Sequence, residues 1–275
     1  MHITFEKASD MNYVFQLLFS FMGESLQQIE GTNTLYIRIA KDDKHTIHTY
    51  VVPALTEFIV QVKEPEFIQG FLCAIFYYED EAEQQQIIQM VHSLVTEDEV
   101  HMHPLLREGY RLEEMIDQSL TMFLSRHIDF SFEAFLKFRL KDYFNRLLEY
   151  IEVAIDEYKL EQDYQDFIES LRKYIASKRS TINLVHVVHE KDQFLFFDED
   201  LQPFTHNLQH FQEDFISLQG FEVDKELIAP LLLLCPNHVF LYSVDLDQGV
   251  IQTLVAIFQE RVNILPFERF SRQQH

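Results

Sequence analysis

The segment from Ser131 to Ser177 constrains the fold most strongly, because it contains no Pro, Gly or Cys. Its apolar residues recur at i, i+3, i+4 and i+7 along almost the whole segment, which is the spacing of an amphipathic helix. Ser131 can cap the first turn, since a serine oxygen accepts a hydrogen bond from a free amide there. The pattern therefore predicts a long helix or a helical hairpin at the centre of the chain.

Two apolar stripes run along this segment. The first stripe comprises Leu136, Leu140, Phe144, Leu147, Ile151, Ile155 and Tyr158. The second comprises Tyr164, Phe167, Ile168, Leu171, Tyr174 and Ile175. The stripes lose phase with each other near 161–163. This favours two helices joined by a turn or bend over Lys159–Asp163, although one bent helix also fits the pattern.

The residues before this segment have mostly helical patterns, with a small β element at the start. Residues 2–6 and 34–40 alternate as strands do and flank a helical pattern over 11–22, which predicts a β-α-β start. Pro53 should bend or divide the next helical stretch, and the Glu64-Pro65 pair should break it. Three further helices are predicted at 66–78, 81–94 and 112–124.

After residue 178 the apolar pattern changes from the helical period to alternation. Segments 181–188 and 193–197 flank the polar residues 190–192 and predict a β-hairpin. The pattern over 198–222 is ambiguous and is compatible with a short helix at 206–216, and a helix is predicted at 224–234. A strand at 238–244, a helix at 248–261 and a strand at 262–265 then predict a right-handed βαβ crossover.

Together these patterns predict an α+β protein in three parts. Residues 1–130 form a helix-rich module with a β-α-β start, 131–178 form the central helices, and 179–275 form an α/β module. The patterns leave open whether the strands belong to one sheet or two.

The chain is strongly acidic, which limits its partners. It contains 22 Lys and Arg residues and 45 Asp and Glu residues, which gives a formal charge of −23. Such a field repels phosphate backbones and anionic membrane surfaces, so a nucleic-acid partner is disfavoured. The chain has only 6 Gly in 275 residues, which argues against glycine-rich phosphate loops.

The location of the protein is inferred from its apolar runs and cysteines. No apolar run reaches the roughly 18 residues of a membrane span, and the N-terminus has no signal-peptide pattern. Cys73 and Cys235 both lie in apolar runs. We interpret them as reduced, buried thiols of a cytoplasmic protein, although the sequence does not exclude a disulfide.

Motifs for catalysis or metal binding are sparse. The chain has no GxSxG, Walker-type or GxGxxG motif. His206 and His210 are spaced i, i+4 and could share a divalent ion on one helix face. Because such a pair alone is not specific, we interpret them as surface histidines. We therefore assign no metal site and no cofactor, and leave catalytic residues unknown.

The densest basic patch lies in the central segment. It consists of Lys137, Arg139, Lys141 and Arg146 with the aromatic residues Phe138 and Tyr143. The patch could follow a phosphate backbone. Ordinary helix stabilisation is the favoured interpretation, because Arg139 and Arg146 have acidic residues at helical spacing, among them Asp142 and Glu149.

Four separated blocks carry a family resemblance. They are FLKFRLKDY at 135–143, IDEYKLEQDYQDFIESLRKYI at 155–175, ELIAPLLLLCPNHVFLY at 226–242 and IQTLVAIFQERVNI at 251–264. In this order they resemble the YtxC-like family of endospore-forming Firmicutes, and the resemblance covers roughly residues 110–265. It implies a link to sporulation and brings no established activity, cofactor or ligand.

The candidate binding residues lie within or close to these blocks. They are Lys137, Arg139, Asp142, Tyr143, Arg146, Asp156 and Tyr158. They could form a face that docks a partner, line a cleft, or serve as an internal polar lock. Burial in satisfied pairs would favour the internal lock, and a flat exposed apolar patch would favour docking.

The leading function hypothesis is a cytoplasmic, sporulation-associated protein that acts by protein–protein contact, with self-association left open. The alternative is an enzyme or small-ligand-binding protein with a cleft between the N- and C-terminal modules. A nucleic-acid-associated factor is the weaker alternative.

Overall fold

The computed structural model describes residues 1–29, 32–39, 44–97, 103–107, 109–125, 129–180, 182–190, 193–204, 223–244 and 249–273. It is helix-rich and contains two small mixed sheets, so the predicted α+β class is confirmed. The chain divides into two compact units, unit 1 at Met1–Tyr158 and unit 2 at Lys159–His275. The predicted boundaries between the three parts of the chain, by contrast, lie near residues 130 and 178, where the sequence pattern changes.

Unit 1 begins with a four-stranded sheet. Its strands are β1 (His2–Thr4), β2 (Leu26–Ile29), β3 (Thr34–Ile37) and β4 (Phe130–Ser131), in the order β2-β3-β1-β4. Strand β1 is antiparallel to β3 and parallel to β4. Helix α1 (Ala8–Met22) follows β1. The predicted β-α-β start is present, with β2 as an additional strand.

Two prolines lie within the next helical run. The run comprises α2 (Lys44–Thr46), a π-helical segment (Ile47–Val51), α3 (Val52–Phe58), a second π-helical segment (Ile59–Lys63) and α4 (Glu64–Ala74). The predicted break at Glu64-Pro65 is wrong, because Lys63 and Glu64 both keep helical dihedral angles.

The wide π turns explain how the helical run accommodates the prolines. The amide of Val52 donates to the carbonyl of Ile47, and that of Glu64 donates to the carbonyl of Ile59. Each wide turn therefore ends directly before a proline, which has no amide hydrogen and would clash with the carbonyl four residues back in a regular α-helix.

Of the next three helices of unit 1, two agree closely with the predictions, and the third begins as predicted but ends at Arg139. They are α5 (Glu81–Thr96), α6 (Leu112–Leu124) and α7 (Phe132–Arg139). The Asp80 carboxylate caps α5 by accepting from the amides of Ala82 and Glu83. Ser131 caps α7 as predicted, because its Oγ accepts from the amide of Ala134.

Helix α8 (Lys141–Ser177) runs from unit 1 into unit 2. The turn favoured over Lys159–Asp163 is wrong, since residues 141–177 are all described and form one continuous helix. The interruption instead lies at Leu140, whose dihedral angles of φ −102° and ψ 24° end α7. Leu140 is fully buried, so the junction between the helices is fixed in the core.

Unit 2 contains a second four-stranded sheet. Its strands are β5 (Leu184–Glu190), β6 (Gln193–Phe197), β7 (His238–Tyr242) and β8 (Val262–Leu265), in the order β6-β5-β7-β8. The antiparallel β5–β6 pair confirms the hairpin, and the parallel β7–β8 pair confirms the strand pairing of the βαβ unit. The strands in the described residues thus form two sheets.

Besides the second half of α8, the helices in the described part of unit 2 are α9 (Ile228–Leu234), α10 (Gly249–Phe258) and α11 (Phe267–Gln273). Helix α9 begins later than predicted. Asp224 instead accepts hydrogen bonds from the amides of Glu226, Leu227 and Ile228 in the turn before it. Residues 206–216, where the pattern allows a short helix, lie outside the described residues.

Each unit has its own apolar core. Both cysteines are free, but Cys73 is exposed, contrary to the prediction, because the buried face of α4 carries Ile68 and Leu72 instead. Across the described residues, no helix is both long enough and apolar enough to cross a membrane.

Candidate functional site

The junction between α7 and α8 exposes a short cationic and aromatic surface. Residues 137–139 lie between the buried residues Leu136 and Leu140, so their side chains project outward. Phe138 is 70% exposed. Together with exposed Lys141, residues 137–139 form what we call the Phe138 surface.

The cations of this surface associate with aromatic rings. Lys137 Nζ lies 5.6 Å from the Phe138 ring centroid, and Arg139 Cζ lies 5.6 Å from that of Phe123. Among the described residues, Arg139 makes no ion pair with Asp142, which is also exposed. The break at Leu140 accounts for this, because residues three apart share a face only within one continuous helix.

Tyr143 is directed into the core of unit 1. Its hydroxyl donates a 2.7 Å hydrogen bond to Oε2 of Glu64, and the two residues are 1% exposed. Burial raises the pKa of Glu64 to about 7, the bond from Tyr143 opposes the rise, and the charge of Glu113 adds to it. Burial and the Glu64 carboxylate together raise the pKa of Tyr143.

Arg146 contacts the loop that contains Leu106 and Gly109. It donates to the carbonyl of Leu106 and to the Glu149 carboxylate, which confirms the predicted helical pair. Its guanidinium Cζ lies 5.3 Å from the Tyr150 ring centroid. A Cβ on Gly109, whose φ is +110°, would lie 3.6 Å from the same Cζ. These contacts make Arg146 an internal lock rather than a free binding group.

Tyr158 is also held internally. Its hydroxyl donates a 3.1 Å hydrogen bond to Glu83 Oε1, and its ring packs edge-on against Tyr78 with centroids 6.3 Å apart. Burial and the bond to Glu83 raise the pKa of Tyr158. Asp156, two residues earlier, is exposed on the same helix.

The seven candidate residues therefore do not share one environment. Three are buried or clamped in internal contacts: Tyr143, Arg146 and Tyr158. Four are exposed: Lys137, Arg139, Asp142 and Asp156. Of these, only Lys137 and Arg139 belong to the Phe138 surface. The candidate residues thus divide between a small cationic and aromatic surface at the junction of α7 and α8 and a set of internal contacts along α8.

The described part of the chain contains no group of three His, Cys, Asp or Glu side chains placed to hold a metal ion. His206 and His210 lie outside the described residues. The sequence reasoning missed Glu64, although a signal exists. The polar pair Lys63-Glu64 stands in the helical run FIVQVKEPEFI at 58–68, where it continues an otherwise apolar face.

Comparisons with known proteins identify relatives of the chain by sequence and not by structure. No solved structure matches the chain significantly. The uncharacterized protein YtxC of Bacillus subtilis (strain 168) is 32% identical over 227 residues, covering 82% of this chain and 79% of that protein. The model of the YtxC-like family matches residues 49–263. The chain therefore belongs to the YtxC-like family.

Proposed function

We propose that this protein acts in the cytoplasm of sporulating cells by binding another protein through the Phe138 surface. The observation that carries the proposal is the exposure of Phe138. On the same helix, Phe132 and Phe135 are 0% and 2% exposed, whereas Phe138 is 70% exposed. Aromatic and arginine side chains are enriched at the centres of protein interfaces, where they supply much of the binding energy.

The charge of the surface indicates the chemistry of the partner. Lys137, Arg139 and Lys141 surround Phe138 on a chain whose formal charge is −23. Charge complementarity favours a partner with an apolar pocket for the phenyl ring and acidic residues around it. The same contrast disfavours nucleic acid, because the rest of the molecule repels phosphate.

The buried contacts below the surface give it a rigid support. Leu136 and Leu140 anchor the junction in the core, and Tyr143 fixes the first turn of α8 through Glu64. A rigid anchor loses little conformational entropy on binding. The sporulation setting rests on the resemblance of the chain to its family, and the two free cysteines support a reducing compartment.

The proposal is tested by cross-linking in sporulating cells that carry a tagged chain in place of the native gene. Phe138→Ala is compared with the matched control Phe21→Ala, because Phe21 is 68% exposed elsewhere in unit 1. The wild type and the control should give the same cross-linked partner, and Phe138→Ala should lose it. The purified partner should then bind the chain more weakly as salt concentration rises.

Three results would overturn the proposal. One is a set of cross-links that Phe138→Ala and Phe21→Ala change equally. Another is a sporulation efficiency that stays normal when the gene is deleted. The third is a partner that proves to be nucleic acid.

A further inference from the structure

Helix α6 has an exposed face that is charged at one end only. The buried side of the helix carries Leu112, Ile116, Leu120 and Leu124. The exposed residues on the other side, which we call the α6 face, are Glu113, Glu114, Asp117, Gln118 and Met122. Its three carboxylates lie in the first half of the helix, and Met122 near the other end is 74% exposed. The α6 face therefore has an acidic end and an uncharged end.

The carboxylates of the acidic end form no ion pair within the described part of the chain. Asp117 accepts a 2.7 Å hydrogen bond from the neutral hydroxyl of Thr56. The guanidinium of Arg111, directly before the helix, donates a 3.2 Å hydrogen bond to the carbonyl of Val95 instead. Even with this cation, the acidic end has an excess of negative charge.

The uncharged end of the α6 face adjoins the Phe138 surface. The ring centroids of Phe123 and Phe135 are 5.2 Å apart, and Arg139 Cζ lies 5.6 Å from the Phe123 centroid. These contacts place the end of α7 beside the end of α6. The three cations of the Phe138 surface form no ion pair among the described residues. The uncharged end is thus bordered by cations that lack a carboxylate.

The spacing of these two regions makes the surface complementary to itself. The helical rise places Glu113 about 15 Å from Phe123 along the axis of α6. When two copies of α6 lie antiparallel, the acidic end of each meets the cations of the other, and the uncharged middle at Gln118 meets itself. A parallel arrangement brings like charges together. The antiparallel pair has a two-fold axis, so its two charged contacts are identical and the assembly closes as a dimer.

We propose that this protein forms a two-fold symmetric homodimer in which the α6 faces pack antiparallel and each acidic end contacts the Phe138 surface of the other copy. Two chains with a formal charge of −23 repel one another over most of their surface. The contact therefore forms where opposite charges meet. The inference rests on the docking role proposed for the Phe138 surface and adds its regulation, because the second copy competes with the acidic partner for that surface.

Sedimentation equilibrium of the full chain measures the dissociation constant of the dimer, which should rise with salt concentration. Glu114→Lys and Arg139→Glu should each raise this constant about thirtyfold, because each substitution places like charges in both contacts. The double variant Glu114→Lys/Arg139→Glu restores opposite charges and should dimerise about as tightly as the wild type. Glu24→Lys is the control at an exposed position outside α6. It should not weaken the dimer, because it lowers the net charge of each copy.

A cysteine near the two-fold axis gives an independent measurement. Gln118→Cys is made in a Cys73→Ser background, because Cys73 is exposed and free. Mild oxidation should link two copies through this position, which meets itself in the dimer. Gln16→Cys, which is exposed on α1, is the matched control and should give much less cross-linked dimer.

The proposal is overturned by a monomer at all salt concentrations, by an assembly larger than a dimer, or by a double variant that stays monomeric. Equal cross-linking of the two cysteine variants would also overturn it. In sporulating cells the double variant should dimerise but lose the acidic partner, since Arg139→Glu removes a cation from the Phe138 surface. A dimer without any partner would contradict the proposed function alone, and a monomer that binds the partner would contradict this inference alone.

Discussion

Two adjacent residues of unit 1, Lys63 and Glu64, bury charge in different ways. Lys63 Nζ lies 2.9 Å from Asp10 Oδ2 and 2.6 Å from Glu66 Oε2, and the side chains of Lys63 and Asp10 are 8% and 6% exposed. Burial lowers the pKa of Lys63, but its bonds to Glu66 and Asp10 outweigh that effect and raise the pKa overall. The lysine therefore stays charged.

Glu64 has no cation beside it among the described residues. Its one hydrogen bond comes from the neutral hydroxyl of Tyr143, and its Oε1 is left without a partner. Burial consequently raises the pKa of Glu64 to about 7. The comparison shows that a buried charge is retained when opposite charges meet it, and that its protonation shifts when they do not.

The largest expected effect comes from breaking the paired site. In Lys63→Met, Asp10 stays buried without its cation, and we expect unit 1 to lose about 4 kcal/mol of unfolding free energy. Urea denaturation at pH 7, followed by circular dichroism, measures the loss.

Lys7→Met is the matched control for that measurement. Lys7 pairs with the same Glu66 at 3.3 Å, but its side chain is 58% exposed. Its removal should cost about 0.5 kcal/mol. Equal losses in the two variants would show that the Lys63 pair is no stronger than a surface ion pair.

The buried Glu64, which has no cation beside it, predicts that the free energy of unfolding falls as pH rises. Because the pKa of Glu64 is raised from 4.5 to about 7, its stabilising contribution is fully present below about pH 4.5. It is lost as pH rises through about 7, and the loss amounts to roughly 3 kcal/mol. Glu64→Gln stays neutral and can still accept from Tyr143, so it should not show this loss.

Urea denaturation of the wild type and Glu64→Gln between pH 4 and pH 8 isolates this contribution, since all other titrations cancel in the difference. The two proteins should be about equally stable at pH 4, and the variant should be more stable at pH 8. A difference that does not change with pH would rule out a raised pKa of Glu64.

Local patterns predicted most elements of the fold but misread one. Residues 159–163 of α8 are all exposed, between a half that packs in the core of unit 1 and a half that packs in that of unit 2. The loss of phase between the apolar stripes thus marks a change of core and not a turn. The sequence KLEQD there consists mainly of good helix formers, and a helix that is polar all round can connect two packed regions.

The buried charges could not be predicted in the same way. Lys and Glu are almost never fully buried, so a local pattern places them at the surface. Their buried partners are distant in sequence, since Asp10 is 53 positions from Lys63 and Tyr143 is 79 positions from Glu64. Phe138 lies in a block that the family resemblance had singled out. Its 70% exposure was not predicted, and it follows from its position between the buried residues Leu136 and Leu140.

The smallest expected effect comes from the hydrogen bond that Glu64 retains. Tyr143→Phe removes this bond, which is worth more to the carboxylate than to the neutral acid. We therefore expect a loss of about 2 kcal/mol at pH 8 and about 1 kcal/mol at pH 4. The pKa of Glu64 should rise further, because the bond now lowers it.

Tyr150→Phe is the control on the same helix, since the Tyr150 hydroxyl makes no hydrogen bond among the described residues. It should change the free energy of unfolding by less than about 0.5 kcal/mol. Equal losses at both pH values in Tyr143→Phe would mean that Glu64 does not change its charge over this range.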